Sequence, residues 1–461
     1  MKVCTVAILF AIIAIDLTNA SDQVAPSEIR ITDGHSIQRA LDANPSQIIY
    51  LPPGDYEISQ AISITHDRSG LVGPGRIIQT DPKAPVIIIS QADDVQLREL
   101  TLTRKAGQEG RYSGLMANSC DNLILDNLQV LDNCAANAAI NLDRCTNSRL
   151  SNSLVRNYSR ISIDDRTKSS NYGFAFKCID GTGIQLTNCR GMLLQNNRVV
   201  EQKYLPTPEV KSEFELGKFT TKNAEKGALV SQETWDNEAY PTWHQGSAIY
   251  VGGPKSADRV QILGNYIENA AQGIDLHADH ITVSQNIVNG AGVGMKAMHG
   301  SRNILIMGNQ FIKCDHCAIQ LQPGAGSHAG NVPVQTEEES PARPANVDGG
   351  TVVANNIISD FGYGNAHWIW GDERSAIALE YGQKAENPPL RDVVIQGNVV
   401  YDPGREETSA DGKSTVVPPR YRYAILVTPD SNQLRGPVGI RFSNNVFHPG
   451  LLGISNVTIE Q

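Results

Sequence analysis

The chain has 461 residues, with 39 Lys+Arg against 49 Asp+Glu and a formal net charge of −10. At 19% charged and 40% hydrophobic it can bury a sizeable core, which excludes a disordered chain. The acidic balance argues against nucleic acid as a partner, and a polyanionic ligand would need a local basic patch or a bound cation.

Residues 1–20, MKVCTVAILFAIIAIDLTNA, join Lys2 to an apolar run and to small residues at Thr18 and Ala20, the pattern of a secretory signal peptide cleaved near Ala20. Asp16 interrupts the run too early for a membrane span, and no later stretch could cross a bilayer. The expectation is export, extracellular or periplasmic, with residues 21–461 forming one domain. Cleavage removes Cys4 and leaves seven of the 8 cysteines, an odd and sparse set that does not make a disulfide framework. SIQRALDANP (residues 36–45) opens on an N-cap Ser36 and stops before a proline, which predicts a short capping helix. IIYLPPGDYEI follows as the first strands.

From there one phrase recurs: an apolar run, one or two Asn, then an apolar, mostly β-branched residue. Copies fall at Asn127, Asn152, Asn197, Asn265, Asn286, Asn309, Asn356, Asn398 and Asn445, and the closest are 21 to 25 residues apart. That spacing, with polar inserts in the wider gaps, is a solenoid signature. A second phrase precedes each Asn, as in GLMAN, AINLD, GIQLT, AIYVG, GIDLH and GMKAM, and alternates with the period of two that marks a strand. A leucine-rich horseshoe would need a helix and a Leu framework in each repeat. The fold class is therefore all-β, a single-domain right-handed parallel β-helix with an N-terminal capping helix, long loop inserts, and turn asparagines stacked along the axis.

Cys120, Cys145 and Cys189 follow their strands at one offset and should stack. Adjacent rungs are close enough for a Cys120–Cys145 bridge, but a buried thiol ladder is the favoured reading. Cys314 and Cys317 lack a second pair, so zinc is not expected there, and no metal ligand set is assigned.

Aligning the strands predicts two outward ladders. One runs Met116, Asn141, Gln185, Tyr250, Asp275, Lys296, Gln320, Ala378, Leu426; the other runs Asn118, Asp143, Thr187, Gly252, His277, Met298, Gln322, Glu380, Thr428. Asp275, His277, Lys296 and Tyr250 converge on neighbouring rungs and are the candidate catalytic residues: Tyr and His for proton transfer, Lys as base or carboxylate neutraliser, Asp as orienting partner. Inserts are expected at about 203–245, 323–350 and 402–420. The first holds Tyr204, Phe214, Phe219, Trp235, Tyr240, Trp243 and His244. Aromatic rings stack on sugar faces, so Trp235, Trp243 and His244 are expected substrate contacts, with Gln185, Gln320, Arg302 and His299 along the same face. Lys177 and Tyr172 fit either a cleft or a scaffold. A long open face accommodates a polymer, and the expected partner is a polysaccharide.

The helix followed by a strand ending in PPGDY resembles the start of pectate-lyase-superfamily β-helix proteins. GIDLHADHITVSQNIV (residues 273–288) is similar to the catalytic rung of mannuronan C5-epimerases, whose Asp-Pro-His motif would place catalytic roles on Asp275 and His277. Leu276 stands at the motif's Pro, Ala278 at its acidic residue and Gln272 at its Tyr, which leaves Tyr250 for the Tyr role. The wider family of β-helix polysaccharide lyases uses Lys and Arg on this face, commonly with calcium; Lys296 and Arg302 would be such a pair. No cofactor is required by the residues themselves, and calcium is what the resemblance adds. The expected activity is β-elimination on an alginate-like uronic-acid polymer. C5-epimerisation, glycoside hydrolysis through Asp143 with Asp164 or Asp275 with Asp279, and glycan binding without catalysis remain open.

Overall fold

A computed structural model of the chain describes residues 31–108, 112–253, 256–330, 345–363, 374–431 and 433–459. The signal-peptide expectation falls on residues outside that set. The described chain winds through three 12-stranded sheets, each turn giving one short strand to each, and every pairing within them is parallel. This is a right-handed parallel β-helix. The first sheet runs from Ile48–Tyr50 to Val438–Ser443, the second from Gly54–Ile58 to Val446–Phe447 and the third from Ile62–Ile64 to Gly453–Ser455.

Alternation explains the strands. In Ile140–Asp143, Ile140 and Leu142 are buried while Asn141 and Asp143 are half-buried on the outer face, and repetition of that pattern builds one continuous core. Helix α1 spans Gly34–Ala43 and joins the core through Ile37, Ala40 and Leu41. Its cap is Asp33 rather than Ser36. The Ser36 amide donates to Asp33 Oδ1 (2.7 Å) while the Asp33 amide donates to Ser36 Oγ (3.1 Å), so the pair satisfies two end donors that Ser36 alone could not. Among the described residues no helix is long and apolar enough to cross a membrane.

The asparagine stack runs through Asn197, Asn265, Asn286, Asn309, Asn356, Asn398 and Asn445. Each Nδ2 donates to Oδ1 of the next at 2.9–3.0 Å, and the backbone amide of each donor residue reaches the same oxygen. Asn127 and Asn152 are not members. Both sit one residue earlier at φ 51° and 53°, the left-handed turn position that Asn tolerates, and Ser153 takes the stack position beside Asn197. Cys120, Cys145 and Cys189 form the expected thiol ladder, hydrogen-bonded in line, and all seven described cysteines are buried.

The largest excursion is wider than expected. It begins after Leu154–Arg156, where Arg160–Asp165 and Phe174–Asp180 pair antiparallel, and resumes after Arg198–Val200, where Phe219–Lys222 joins them. Two short helices, α2 (Pro208–Phe214) and α3 (Gln232–Asn237), complete this side lobe. A small antiparallel hairpin, Arg405–Thr408 with Ser414–Val417, occupies the 402–420 insert.

Candidate active site

The outer face of the third sheet forms the floor of the site. Met116, Asn141, Gln185, Tyr250, Asp275, Lys296, Gln320, Ala378 and Leu426 are lateral partners in that order. The second row keeps register past the strand ends: the amides of His277, Met298, Gln322 and Glu380 donate to the carbonyls of Val251, Leu276, Ala297 and Leu321.

Its centre is a chain of four side chains. The Tyr250 hydroxyl lies 3.2 Å from His277 Nδ1. The other ring nitrogen, Nε2, comes within 3.0 Å of Asp275 Oδ1, off the axis of a directed hydrogen bond, and Lys296 Nζ is 3.3 Å from Asp275 Oδ2. Asp275 is 5% exposed. Burial alone would raise its carboxyl, but Lys296 and His277 outweigh burial and hold it well below the usual carboxylate range. Burial, with the Asp275 charge added, pushes the Tyr250 hydroxyl up to about 12. Gly252 makes this reach possible: a Cβ there would lie 2.2 Å from the Tyr250 oxygen.

His299 packs edge-on against the His277 ring, with centroids 4.4 Å apart. The turn at Gly324 and Gly326 closes over it, and the Gly326 amide donates to His299 Nδ1 at 3.1 Å. Burial, then the nearby His277 and Lys296, lowers His299 to about 4, so the ring is neutral and carries its proton on Nε2.

Lys296 and His299, but not Tyr250, Asp275 or His277, line a cleft of about 940 Å³ that runs between the side lobe and the later rungs, so a sugar must settle past Lys296 and His299 to meet the Tyr250 hydroxyl. Its charged lining, among the described residues, is Arg166, Lys296 and Arg422 against the single carboxylate of Glu380. Two of these cations have carboxylate partners, Lys296 in Asp275 and Arg166 in Asp164. Arg166 is the lobe's contribution: Asp164 Oδ2 accepts from its Nη2 (2.6 Å) and Nε (2.8 Å), Gln245 Oε1 from Nη2 (3.3 Å), and the guanidinium lies 4.6 Å from the Tyr172 ring centroid.

Tyr250, Asp275, His277 and Lys296 are brought together, with His299 beside them. Gln320 lines the cleft and donates to Glu380 Oε2 (2.9 Å), whereas Gln185 stays on the ladder, bonded to Thr187. Besides Gln185, four expected contacts do not reach the cleft. Trp243 is 1% exposed and packs with Ile179, Tyr204 and Leu216; Trp235 is buried with Phe174, Phe176 and Val230. An excursion this long needs cores of its own, and its aromatics supply them. His244 is fully enclosed beside Ile179, and burial lowers it to about 3. Arg302 lies around the corner in the first sheet, paired with Asp279 at 2.7 Å, so it is not Lys296's partner. Tyr172 lines the cleft, while Lys177 pairs with Glu215 on the lobe. The carboxylate pairs considered for hydrolysis are likewise dispersed: Asp164 clamps Arg166, Asp143 pairs with Arg144, and Asp279 faces Arg302. Arg166 was missed because the large insert was expected to begin at about residue 203, after the hairpin that carries it. The isolated arginine in DDRTKSSNYGF, between two apolar runs and next to the insert, was the available signal.

No family model matches the chain, and no curated protein matches its sequence. Solved structures do resemble it. PfbA, a surface adhesin of Streptococcus pneumoniae, is 13% identical over 93% of this chain and 91% of its own, with a TM-score of 0.50. An exopolygalacturonase from Thermotoga maritima is 11% identical over 80% and 83%, TM-score 0.49. The Azotobacter vinelandii mannuronan C-5 epimerase AlgE4 A-module is 13% identical over 95% and 98%, TM-score 0.47. At such identities the likeness establishes the β-helix fold alone.

Proposed function

We propose that the chain is an exported polysaccharide lyase that cleaves a uronic-acid polymer by β-elimination. The observation that carries this is the floor group: Tyr250, His277, Asp275 and Lys296 lie in one chain, and Lys296 faces a cleft that Arg166 and Arg422 also line. Lysine and arginine donors along the cleft suit sugar carboxylates better than neutral hydroxyls.

Lys296 neutralises the carboxylate of the reacting sugar, which acidifies the C5 proton, while Arg166 grips a neighbouring sugar from the lobe. Tyr250 passes its phenolic proton to His277 Nδ1, and the imidazolium is stabilised by Asp275, the arrangement in which a buried carboxylate orients and supports a histidine. The Tyr250 oxygen takes the C5 proton, the C5–H electrons form the C4–C5 double bond, and the C4–O bond breaks. The departing oxygen receives the proton from Tyr250. The products are a new chain end and an unsaturated sugar. Inversion at C5 would need a second proton donor on the other side of the sugar ring, where the lobe presents Tyr172 and Tyr240, so the appearance of unsaturated ends is what separates elimination from epimerisation.

The test is incubation with alginate, pectate and glycosaminoglycans, following near-ultraviolet absorbance of unsaturated ends alongside reducing ends. Both rising together is the expected result; reducing ends without absorbance, or binding without turnover, overturns the proposal.

A further inference from the structure

One rung beyond Lys296 the cleft contains a second group of side chains that the proposed elimination does not use. Among the described residues, His316, Cys317 and Glu380 form the one group of three whose candidate ligand atoms all lie within 4.8 Å of one another. Each arrives by a separate feature of the fold. Cys317 opens the strand Cys317–Leu321 in register with Val293, and His316 precedes it, its amide donating to the Gly292 carbonyl. Glu380 follows the strand Ser375–Leu379 on the next rung. Its carboxylate turns back along that strand to accept from Gln320 (2.9 Å), whose lateral partner is Ala378, and the Ala378 methyl packs with Cys317. The small residue at Ala378 is what leaves room for the carboxylate over the thiol. His316 and Glu380 line the cleft.

We propose that His316, Cys317 and Glu380 bind a divalent transition metal of the zinc class. An imidazole, a thiolate and a carboxylate make a mixed nitrogen, sulfur and oxygen set, which suits zinc and is foreign to calcium, a cation that takes oxygen ligands only. Binding displaces the Cys317 thiol proton to solvent and leaves a neutral site, the metal's two charges matched by thiolate and carboxylate. Zinc bond lengths of about 2.0–2.3 Å at tetrahedral angles put ligand atoms about 3.3–3.6 Å apart, so closure asks for a movement of about 1 Å. The Glu380 side chain supplies it by rotation. Three protein ligands leave the fourth position for a ligand from the cleft. Cys314 takes no part, because it is enclosed in the main core. The CDHC segment gives one thiol to the main core and one to the small cluster beneath His316 and Glu380, and the site is assembled across rungs rather than from a cysteine pair.

The metal's role rests on the uronate reading: its open position takes a carboxylate of the bound polymer next to the sugar held by Lys296. Binding itself does not rest on that reading, and the test separates the two. Full-length chain, stripped with a chelator and exchanged into metal-free buffer, is titrated with Co²⁺ and then with Zn²⁺ or Ca²⁺. One equivalent of Co²⁺ should raise a near-ultraviolet thiolate-to-cobalt charge-transfer band that Zn²⁺ abolishes and Ca²⁺ leaves. Cys317→Ser should lose the band and Cys314→Ser keep it, while Glu380→Gln should weaken Co²⁺ binding by roughly tenfold or more. Absence of the band in the unmutated chain, or its survival in Cys317→Ser, overturns the site. If Cys317→Ser fails to fold by circular dichroism, Glu380→Gln decides, and unchanged affinity there overturns the site as well. A band without elimination on any polymer leaves the metal site standing and removes the lyase; elimination without a band does the reverse.

Discussion

Asp275 keeps its charge in a place where burial alone would remove it, because Lys296 and His277 flank it. Asp275→Asn strands the Lys296 ammonium without its counter-charge. Removing one partner of a buried pair costs about 3–5 kcal/mol, so this variant should unfold at markedly lower denaturant in an equilibrium titration. Tyr250→Phe removes the proton carrier and little else. It should retain the folded circular dichroism spectrum and KM while kcat on the polymer falls by roughly 10²–10⁴-fold. Acid should weaken the fold through histidines. His299 is held near 4 and His244 near 3 against an ordinary 6.5, so both are neutral when folded. The stability they contribute is complete above about pH 6.5 and is lost as pH falls toward 4. Asp348 acts in the opposite sense. Burial raises it to about 6, despite bonds from the Gly300 and Ser301 amides and the Ser327 hydroxyl, so its contribution is complete at low pH and lost as pH rises through 6. Thermal melts from pH 7 to 4 should show Tm falling, and His299→Gln should flatten that decline. At this scale the floor was readable, because outward positions of a strand follow from parity alone: Asp275, His277 and Lys296 could be aligned from their phrases. The pairings themselves were not, since whether a tyrosine reaches a histidine depends on Gly252 leaving the space open.

The elements differ in how openly they announce themselves. A period of two repeated over many rungs makes the strands legible. The asparagine stack was legible too, but its membership was not, because Asn127 and Asn152 satisfy the left-handed turn as well as a stacked amide would satisfy its neighbours. The two positions separate by energetics. Asn309 Oδ1 accepts from both the amide and Nδ2 of Asn286, so Asn309→Ala leaves buried donors unpaired at about 1–3 kcal/mol each. Asn152, exposed and bonded to Asp126, should cost far less when changed to Ala, and chemical denaturation of the two variants measures the difference. The side lobe was the least legible element. Its strand Phe174–Asp180 is mostly buried and apolar, yet its partners Arg160–Asp165 and Phe219–Lys222 run antiparallel to it, and no local pattern encodes which neighbour a strand will choose. Trp235, Trp243 and His244 were expected outward as sugar contacts, whereas the lobe uses them inside. Arg166→Ala should therefore raise KM for an acidic polymer with little change in kcat, since the residue grips substrate from the lobe and stands outside the Tyr250–His277–Asp275 chain.

For the whole molecule, a net charge of −10 repels a polyanion at long range while the cleft attracts it at short range. Salt screens both, with a Debye length of about 8–10 Å at 0.10–0.15 M. Where the long-range field dominates encounter, added salt first raises kcat/KM; once the contact with Arg166, Lys296 and Arg422 is screened, kcat/KM falls. A maximum at intermediate ionic strength is the expected profile, measurable by initial rates across a salt series. A monotonic decline would mean that the outer surface has no influence on approach.

The side lobe has hydrophobic cores of its own, and the solenoid floor has another. One holds Arg166 and the other holds the residues that move protons. Each can be remodelled without disturbing the packing of the other, so exchanging the lobe as a cassette would alter which polymers are admitted while the chemical step stays where it is.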